Sequence, residues 1–315
     1  MRFTVDPWDP AYGSSLESEL QQSEATVVSD LEVSVDQWAP RRPPGGTTVP
    51  AAVVFIDGVR RLEARAWIET GPGDAVPGIF ASYAAGAVRC DGAAQVVAVT
   101  VGRGLYAPVP TLADVDTRHG VFVARVARDA TPEALMYAVH EDMSECEVRI
   151  AEDVRRSTDE LLLLDGPLRK RGHIPDAVGI IKTHHVRYLP PELNRVVGAL
   201  DADERTPIFR VDAAPFSRAS WYVRLPGPPG GPWAGIVRCE ASGALSVDTL
   251  RDLSDRVTVT LGRFASTPHK DTRAPQNLYP IGGLERRLRH RLGDAHVLYR
   301  ALRTRADAAV GVSQG

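Results

Sequence analysis

The stretch "LLLLDGPL", Leu161 to Leu168, sets four leucines ahead of an aspartate and then bends the chain with Gly166-Pro167. A short apolar run bounded by turn residues fits a strand covered on both faces. Periodicity alone leaves a short buried helix open, and the Gly-Pro pair favours the strand. At the end of such a strand Asp165 either caps the turn through its side-chain oxygen or carries its charge into a cleft. The pattern recurs in "AAVVFIDGVRR", Ala51 to Arg61, where an apolar run again ends on Asp-Gly, at Asp57-Gly58. Two such strands lying side by side bring two carboxylates together.

Composition bounds what surrounds them. With 315 residues, 43% hydrophobic and 24% charged, the chain has ordinary globular usage and enough length for one large α/β domain or two small ones. Cys90, Cys146 and Cys239 lack CxxC spacing, which argues against a disulfide framework or a zinc site and for a reducing cytoplasm. No apolar run approaches the roughly 20 residues of a membrane helix, and the N-terminus lacks a signal pattern, so a cytoplasmic protein is expected. A net charge of −3 restricts any nucleic-acid surface to a local patch. Only Lys170, Lys182 and Lys270 are lysines among 37 basic residues, so each retained lysine is informative, because arginine does not replace a compact ammonium everywhere.

Along the chain, residues 1–46 read as an extension ending in the linker "APRRPPGG", with the folded domain over 47–306 and a flexible tail at 307–315. Strands are expected at 51–57 and 60–69, joined by a hairpin at Asp57-Gly58-Val59, then within 76–90 and at 93–102. A helix follows from Pro132, capped by Thr131, to about Thr158. After the 161–165 strand come a strand ending at Lys182, a short helix in "PPELNRVVGAL", and strands in "TPIFRVD", "SRASWYVRL" and "WAGIVRCEA". Helices are expected near 246–262 and 283–304. Hairpin-joined strands followed by a helical crossover imply a mixed sheet flanked by helices, in the order of the RNase H-like fold.

In that fold the first and fourth strands are neighbours, so Asp57 and Asp165 come together across the sheet. Like charges so close repel unless a cation lies between them. Oxygen-only ligands suit Mg²⁺ or Mn²⁺, and two such ions support phosphodiester cleavage. On the intervening helix, Leu135, Val139, Met143, Cys146, Ile150 and Val154 form one apolar stripe. Glu147 lies roughly 60° from the stripe's centre and Asp142 about 80° off on the other flank. Glu147 is therefore either the third ligand or the border of a solvated face, with Asp142 in reserve.

Together, "FIDGVRR", the helix glutamate, "LLLLDGPL" and "GIIKT" resemble, in that order, the motifs of the NurA nucleases, over roughly residues 50 to 305. The resemblance implies a Mn²⁺- or Mg²⁺-dependent DNA nuclease with two ions, active as a homodimer beside the hexameric HerA ATPase. It further implies 5′ to 3′ exonuclease and single-strand endonuclease activity in DNA end processing. It carries over Asp57, Glu147 and Asp165 as metal ligands and Lys182 as a phosphate contact. The family's C-terminal histidine is matched by His296 in "DAHVLYRA"; anchoring on Pro280 instead puts the equivalent position near Glu285 to Leu288.

Other residues keep two readings each. His184 and His185 follow Lys182, and at most one of them faces its edge; His290 is displaced and solvated. Arg286, Arg287, Arg289, Arg291, Arg300, Arg303 and Arg305 hold a DNA backbone or form a solvated helix face over inward leucines. Trp221 and Tyr222 stack on bases or lie in the core. The competing functions are a catalytically inactive DNA- or HerA-binding module and, less favoured because Val59 replaces the second acid of a DxD pair, a phosphohydrolase. Trp8, Tyr12 and their acidic neighbours suit docking of the ATPase or a second subunit.

Overall fold

The computed structural model describes residues 16–22, 25–154, 160–168, 172–174, 176–213, 216–228 and 230–312. In chain order the elements are β1 (Leu16–Gln22), β2 (Thr26–Val28), β3 (Ala52–Gly71), β4 (Asp74–Cys90), β5 (Ala94–Ala107), β6 (Val115–Thr117), β7 (Gly120–Val126) and α1 (Pro132–Val154). There follow β8 (Glu160–Asp165), β9 (Ala177–Ile181), β10 (His184–Arg187), α2 (Pro191–Gly198), β11 (Phe209–Ala213), β12 (Phe216–Arg224), β13 (Ile236–Ser242), α3 (Val247–Leu261), α4 (Tyr279–Arg291) and α5 (Ala295–Val312).

Eleven strands form one sheet in the order β2-β11-β12-β13-β9-β8-β3-β4-β5-β7-β6, and β1 pairs with β10 in a second. Pairing is mixed: β8 runs parallel to β9 and β5 parallel to β7, while β9, β13, β12, β11 and β2 are successively antiparallel. The chain is thus α/β with a large mixed sheet and helices, and β3 and β8, the two Asp-bearing strands, are neighbours as the sequence order requires. No helix among the described residues is long and apolar enough to cross a membrane.

The chain divides into two compact units. The first comprises 1–55, 88–95 and 155–283. Its core gathers Trp38, Leu189, Leu193, Val197, Phe209, Val211, Tyr222 and Ile236. Here β2 pairs with β11, Glu32 salt-bridges the buried Arg205 and Trp38 joins the core, so the part of the N-terminal extension from residue 26 to 38 packs into this unit ahead of the linker stretch at 39–46. The reason is that Glu32 is the partner a fully buried guanidinium requires. Trp8 and Tyr12 lie outside the described residues, as does the expected end of the first helix at 155–158.

The second unit comprises 56–87, 96–154 and 284–315. Its α1 begins as expected, with Thr131 Oγ1 accepting the Ala134 N–H, and packs Leu135 and Val139 against Ile79, Ala81 and Tyr106. Small residues on β4 admit α4 at close range: a Cβ at Gly86 would meet Leu288 at 3.0 Å and Leu284 at 3.1 Å.

Two expectations are corrected. Asp57-Gly58-Val59 is no hairpin, because β3 runs unbroken from Ala52 to Gly71. The single terminal helix is two, α4 and α5, broken at Gly293 with φ +84°, where Asp294 accepts the Val297 N–H to start α5. Arg61 and Arg103 donate to the carbonyls of Gly293 and Leu292, sealing the end of α4.

Candidate metal centre

On β3, residues Val53 to Ile56 are buried, and Asp57, itself only 6% exposed, continues the strand. Its Oδ1 accepts the Gly58 N–H at 2.7 Å. The glycine has a packing reason. A Cβ at Gly58 would lie 2.5 Å from Glu147 Oε1 and 2.8 and 2.9 Å from Met143 Cγ and Sδ, so α1 lowers its glutamate directly onto the strand beside Asp57. Glu147 is 2% exposed, which removes its reading as the border of a solvated face.

Asp165 closes β8, and Gly166, at φ +93°, turns the chain away while its N–H still reaches Ile180 O at 2.8 Å. That turn passes so close over β9 that a Cβ at Gly179 would meet Gly166 O at 2.6 Å. The fully buried Glu240 accepts the Leu168 N–H at 3.2 Å and is itself paired with Arg238 and Arg218. Lys182, immediately after β9, donates from Nζ to Asp165 Oδ2 at 2.6 Å and to Asn277 Oδ1 at 3.0 Å. Asn277 in turn donates to Asp271 Oδ2 at 2.7 Å. Lys182 is thus held between Asp165 and Asn277 in a partly buried polar chain. Asn277 and Asp271 were missed by sequence reasoning; the signal available was the amide pair Gln276-Asn277 set between the prolines of "APQNLYP".

Asp57, Asp165 and Glu285 each offer a carboxylate oxygen, and these lie within 4.8 Å of one another; among the described residues this is the group fit to hold a metal ion. The set is oxygen-only, with neither thiolate nor imidazole, which suits a hard divalent cation such as Mg²⁺ or Mn²⁺ over zinc or copper. Three carboxylates at that spacing, with one ammonium on Asp165, leave negative charge that a divalent cation offsets.

Glu285, at the buried edge of α4 between Leu284 and Leu288, joins Asp57 and Asp165 in this group, while Glu147, the helix glutamate expected as a ligand, lies beside Asp57 without being one of these three. The Pro280 anchor places the family's histidine near 285–288, where this sequence has none. His296 is outside the group, exposed in the first turn of α5 beyond the Gly293 break. Asp142 is engaged elsewhere, accepting from the Tyr106 hydroxyl at 2.9 Å and from Arg125. Its charge and, above all, burial push the neighbouring Tyr83 phenol up to about 12.

His184 is buried against Tyr222 and Trp233 with Nε2 3.2 Å from Ile236 O, a core position; the His185 side chain lies outside the described residues, and His290 is exposed. Trp221 and Tyr222 are core aromatics at 0% and 2% exposure, which ends their reading as base-stacking platforms. Arg286, Arg287, Arg289 and Arg291 are exposed on α4 while Leu284, Leu288 and Leu292 are buried. No protein-family model matches the chain, and no curated protein matches its sequence.

Proposed function

We propose that the protein is a Mn²⁺- or Mg²⁺-dependent deoxyribonuclease of the NurA type, built on an RNase H-like core. The observation that carries the reading is the convergence of Asp57, Asp165 and Glu285 from three separate elements to within 4.8 Å. The order of elements supports it: an Asp strand, two further long strands, a helix lowering a glutamate beside the first aspartate, then a second Asp strand pairing next to the first.

On this reading Asp57, Asp165 and Glu285 hold the metal, and Glu147 lies beside Asp57 to receive a second ion or to orient water. Bound divalent cations supply Lewis acidity toward the scissile phosphodiester. Lys182, held on Asp165 and Asn277, offers its ammonium to a substrate phosphate and keeps the carboxylate aligned. The substrate is DNA, cut from ends in the 5′ to 3′ direction and within single strands. The chain works as a homodimer with a HerA-type hexameric ATPase, in the cytoplasm.

Two observations favour a second reading, an inactive DNA- or ATPase-binding module of the same fold: the Lys182 ammonium already pairs with Asp165, and among the described residues no histidine joins the carboxylates. The two separate in a single experiment. Purified protein is titrated with Mn²⁺ by calorimetry and incubated with end-labelled DNA, alongside Asp57→Ala. Metal binding and cleavage, both lost in the variant, are the expected result. Intact DNA in Mn²⁺ with normal binding of the oligonucleotide leaves only the inactive module.

A further inference from the structure

In the second unit a cleft of about 530 Å³ opens between the β6–β7 hairpin and α5, lined by Asp116, Thr117, Arg118, Arg300, Thr304 and Arg305 over the small side chains of Ala301 and Ala308. We propose that this cleft binds the sugar-phosphate backbone of single-stranded nucleic acid, away from the carboxylates and without reading sequence. The inference rests on the nuclease reading only for its choice of DNA as the polyanion.

Charge comes first. The cleft holds three guanidiniums against one carboxylate in a chain whose net charge is −3, so the positive field is local. Arg118 donates from Nε to His119 Nε2 at 2.9 Å. Among the described residues, Arg300 and Arg305 take part in no side-chain hydrogen bond or ion pair, and both are exposed. Asp294, at the start of α5, feels the charge of Arg300 and is held below its ordinary value chiefly by the Val297 N–H.

Geometry comes second. Arg300, Thr304 and Ala308 follow at i, i+4 and i+8, and Ala301 and Arg305 fill the adjoining row, so one face of α5 presents cation, hydroxyl and open floor together. Arg300 and Arg305 are about 7.5 Å apart along the helix axis, a spacing that suits successive phosphates. No aromatic ring lines the cleft, so it grips charge rather than bases. The cleft beside α1 differs on every count: Glu133, Glu141 and Asp142 outnumber its arginines, and Arg125 is already paired with Asp142.

The test measures anisotropy of a short fluorescein-labelled oligothymidylate with full-length protein in EDTA, across a salt series. Arg300→Ala/Arg305→Ala is expected to bind about tenfold more weakly and to lower the slope of log K against log salt by about 1.4, two single-strand phosphate contacts. Arg300→Lys/Arg305→Lys keeps the slope. Should the alanine pair unfold, Arg118→Ala on the hairpin alone is expected to lower the slope by about 0.7. Hydrolysis of bis(p-nitrophenyl) phosphate in Mn²⁺, a diester with no chain to lie in the cleft, stays at the wild-type rate in each variant. Unchanged affinity and slope in the folded variants overturn the cleft. A wild type that binds the oligonucleotide with the expected slope yet hydrolyses neither diester nor DNA overturns the nuclease reading and leaves the cleft standing.

Discussion

Lys182 Nζ donates to Asp165 Oδ2 at 2.6 Å, so one lysine of three in the chain neutralises one of the converging carboxylates. A divalent cation entering the group has to share Asp165 with that ammonium. Lys182→Met therefore separates two roles. Cleavage is expected to fall by about a hundredfold, the scale of losing one preorganised donor at developing charge. Mn²⁺ affinity is expected to hold or tighten, because a competing cation has gone. Calorimetry and single-turnover cleavage read the two effects apart; a loss of both in step would mean that Lys182 merely keeps the strand end folded.

Glu285→Gln and His296→Ala form a second contrast. Glu285 belongs to the carboxylate group and His296 is exposed outside it. Saturating Mn²⁺ stabilises a binding-competent native state by RT ln(1 + [L]/Kd), about 2.7 kcal/mol at a hundredfold excess over Kd. Wild type and His296→Ala are expected to show that rise in Tm and to cleave equally. Glu285→Gln is expected to lose most of it, while its metal-free Tm stays level or rises as carboxylate repulsion is relieved. An unresponsive His296→Ala would return the histidine to the site.

How much of this was legible follows from the kind of signal each residue leaves. Asp57 and Asp165 each end an apolar run, and the element order alone put their strands together, so both were readable. Gly58 was misread, as a turn, because Asp-Gly is a strong turn dipeptide and nothing local reports that Glu147 and Met143 press on it from 85 or more residues away. Glu147 was placed on the correct helix face by its 3.6-residue period. Glu285 hid among arginines in a helix whose register against β4 depends on Gly86 meeting Leu284 and Leu288, a tertiary fit without a local signature. The break at Gly293 leaves only a single glycine in the sequence, and a lone glycine among good helix formers such as arginine and leucine does not by itself mark a helix end.

The Glu32–Arg205–Asp255 cluster sets acid stability. Arg205 donates to Glu32 at 2.8 and 2.9 Å and to Asp255 at 2.7 Å, with the guanidinium almost fully buried. Burial alone would raise the Glu32 carboxyl, but the hydrogen bonds and charge of Arg205, with help from the Ile208 N–H and Arg41, hold it below its usual value. A folded pKa below the unfolded one gives stability that is complete above the unfolded value, near pH 4.3, and lost as pH falls through the lowered folded value. Wild type is expected to lose denaturant midpoint steeply over that range. Glu32→Ala is expected to cost about 3–5 kcal/mol at neutral pH, from a buried guanidinium left short of a partner, and to show a flatter acid limb.

Gly58→Ala decides whether α1 really bears on the strand. Backbone preference argues that alanine should stabilise, because glycine within a strand costs about 0.5–1 kcal/mol relative to alanine. Crowding argues the reverse: the new methyl would stand 2.5 Å from Glu147 Oε1 and within 2.9 Å of Met143, both buried, at 2% and 5% exposure. Overpacking of that kind costs about 1–3 kcal/mol, so the net expectation is destabilisation, with cleavage reduced further because the displaced carboxylate lies next to Asp57. The double-mutant cycle with Glu147→Ala supplies the proof. Removing the glutamate opens the space the methyl needs, so the two changes are expected to couple by at least about 0.5 kcal/mol in favour of the double variant. Strict additivity in urea unfolding, or a Gly58→Ala protein more stable than wild type, would show that Glu147 does not rest on β3.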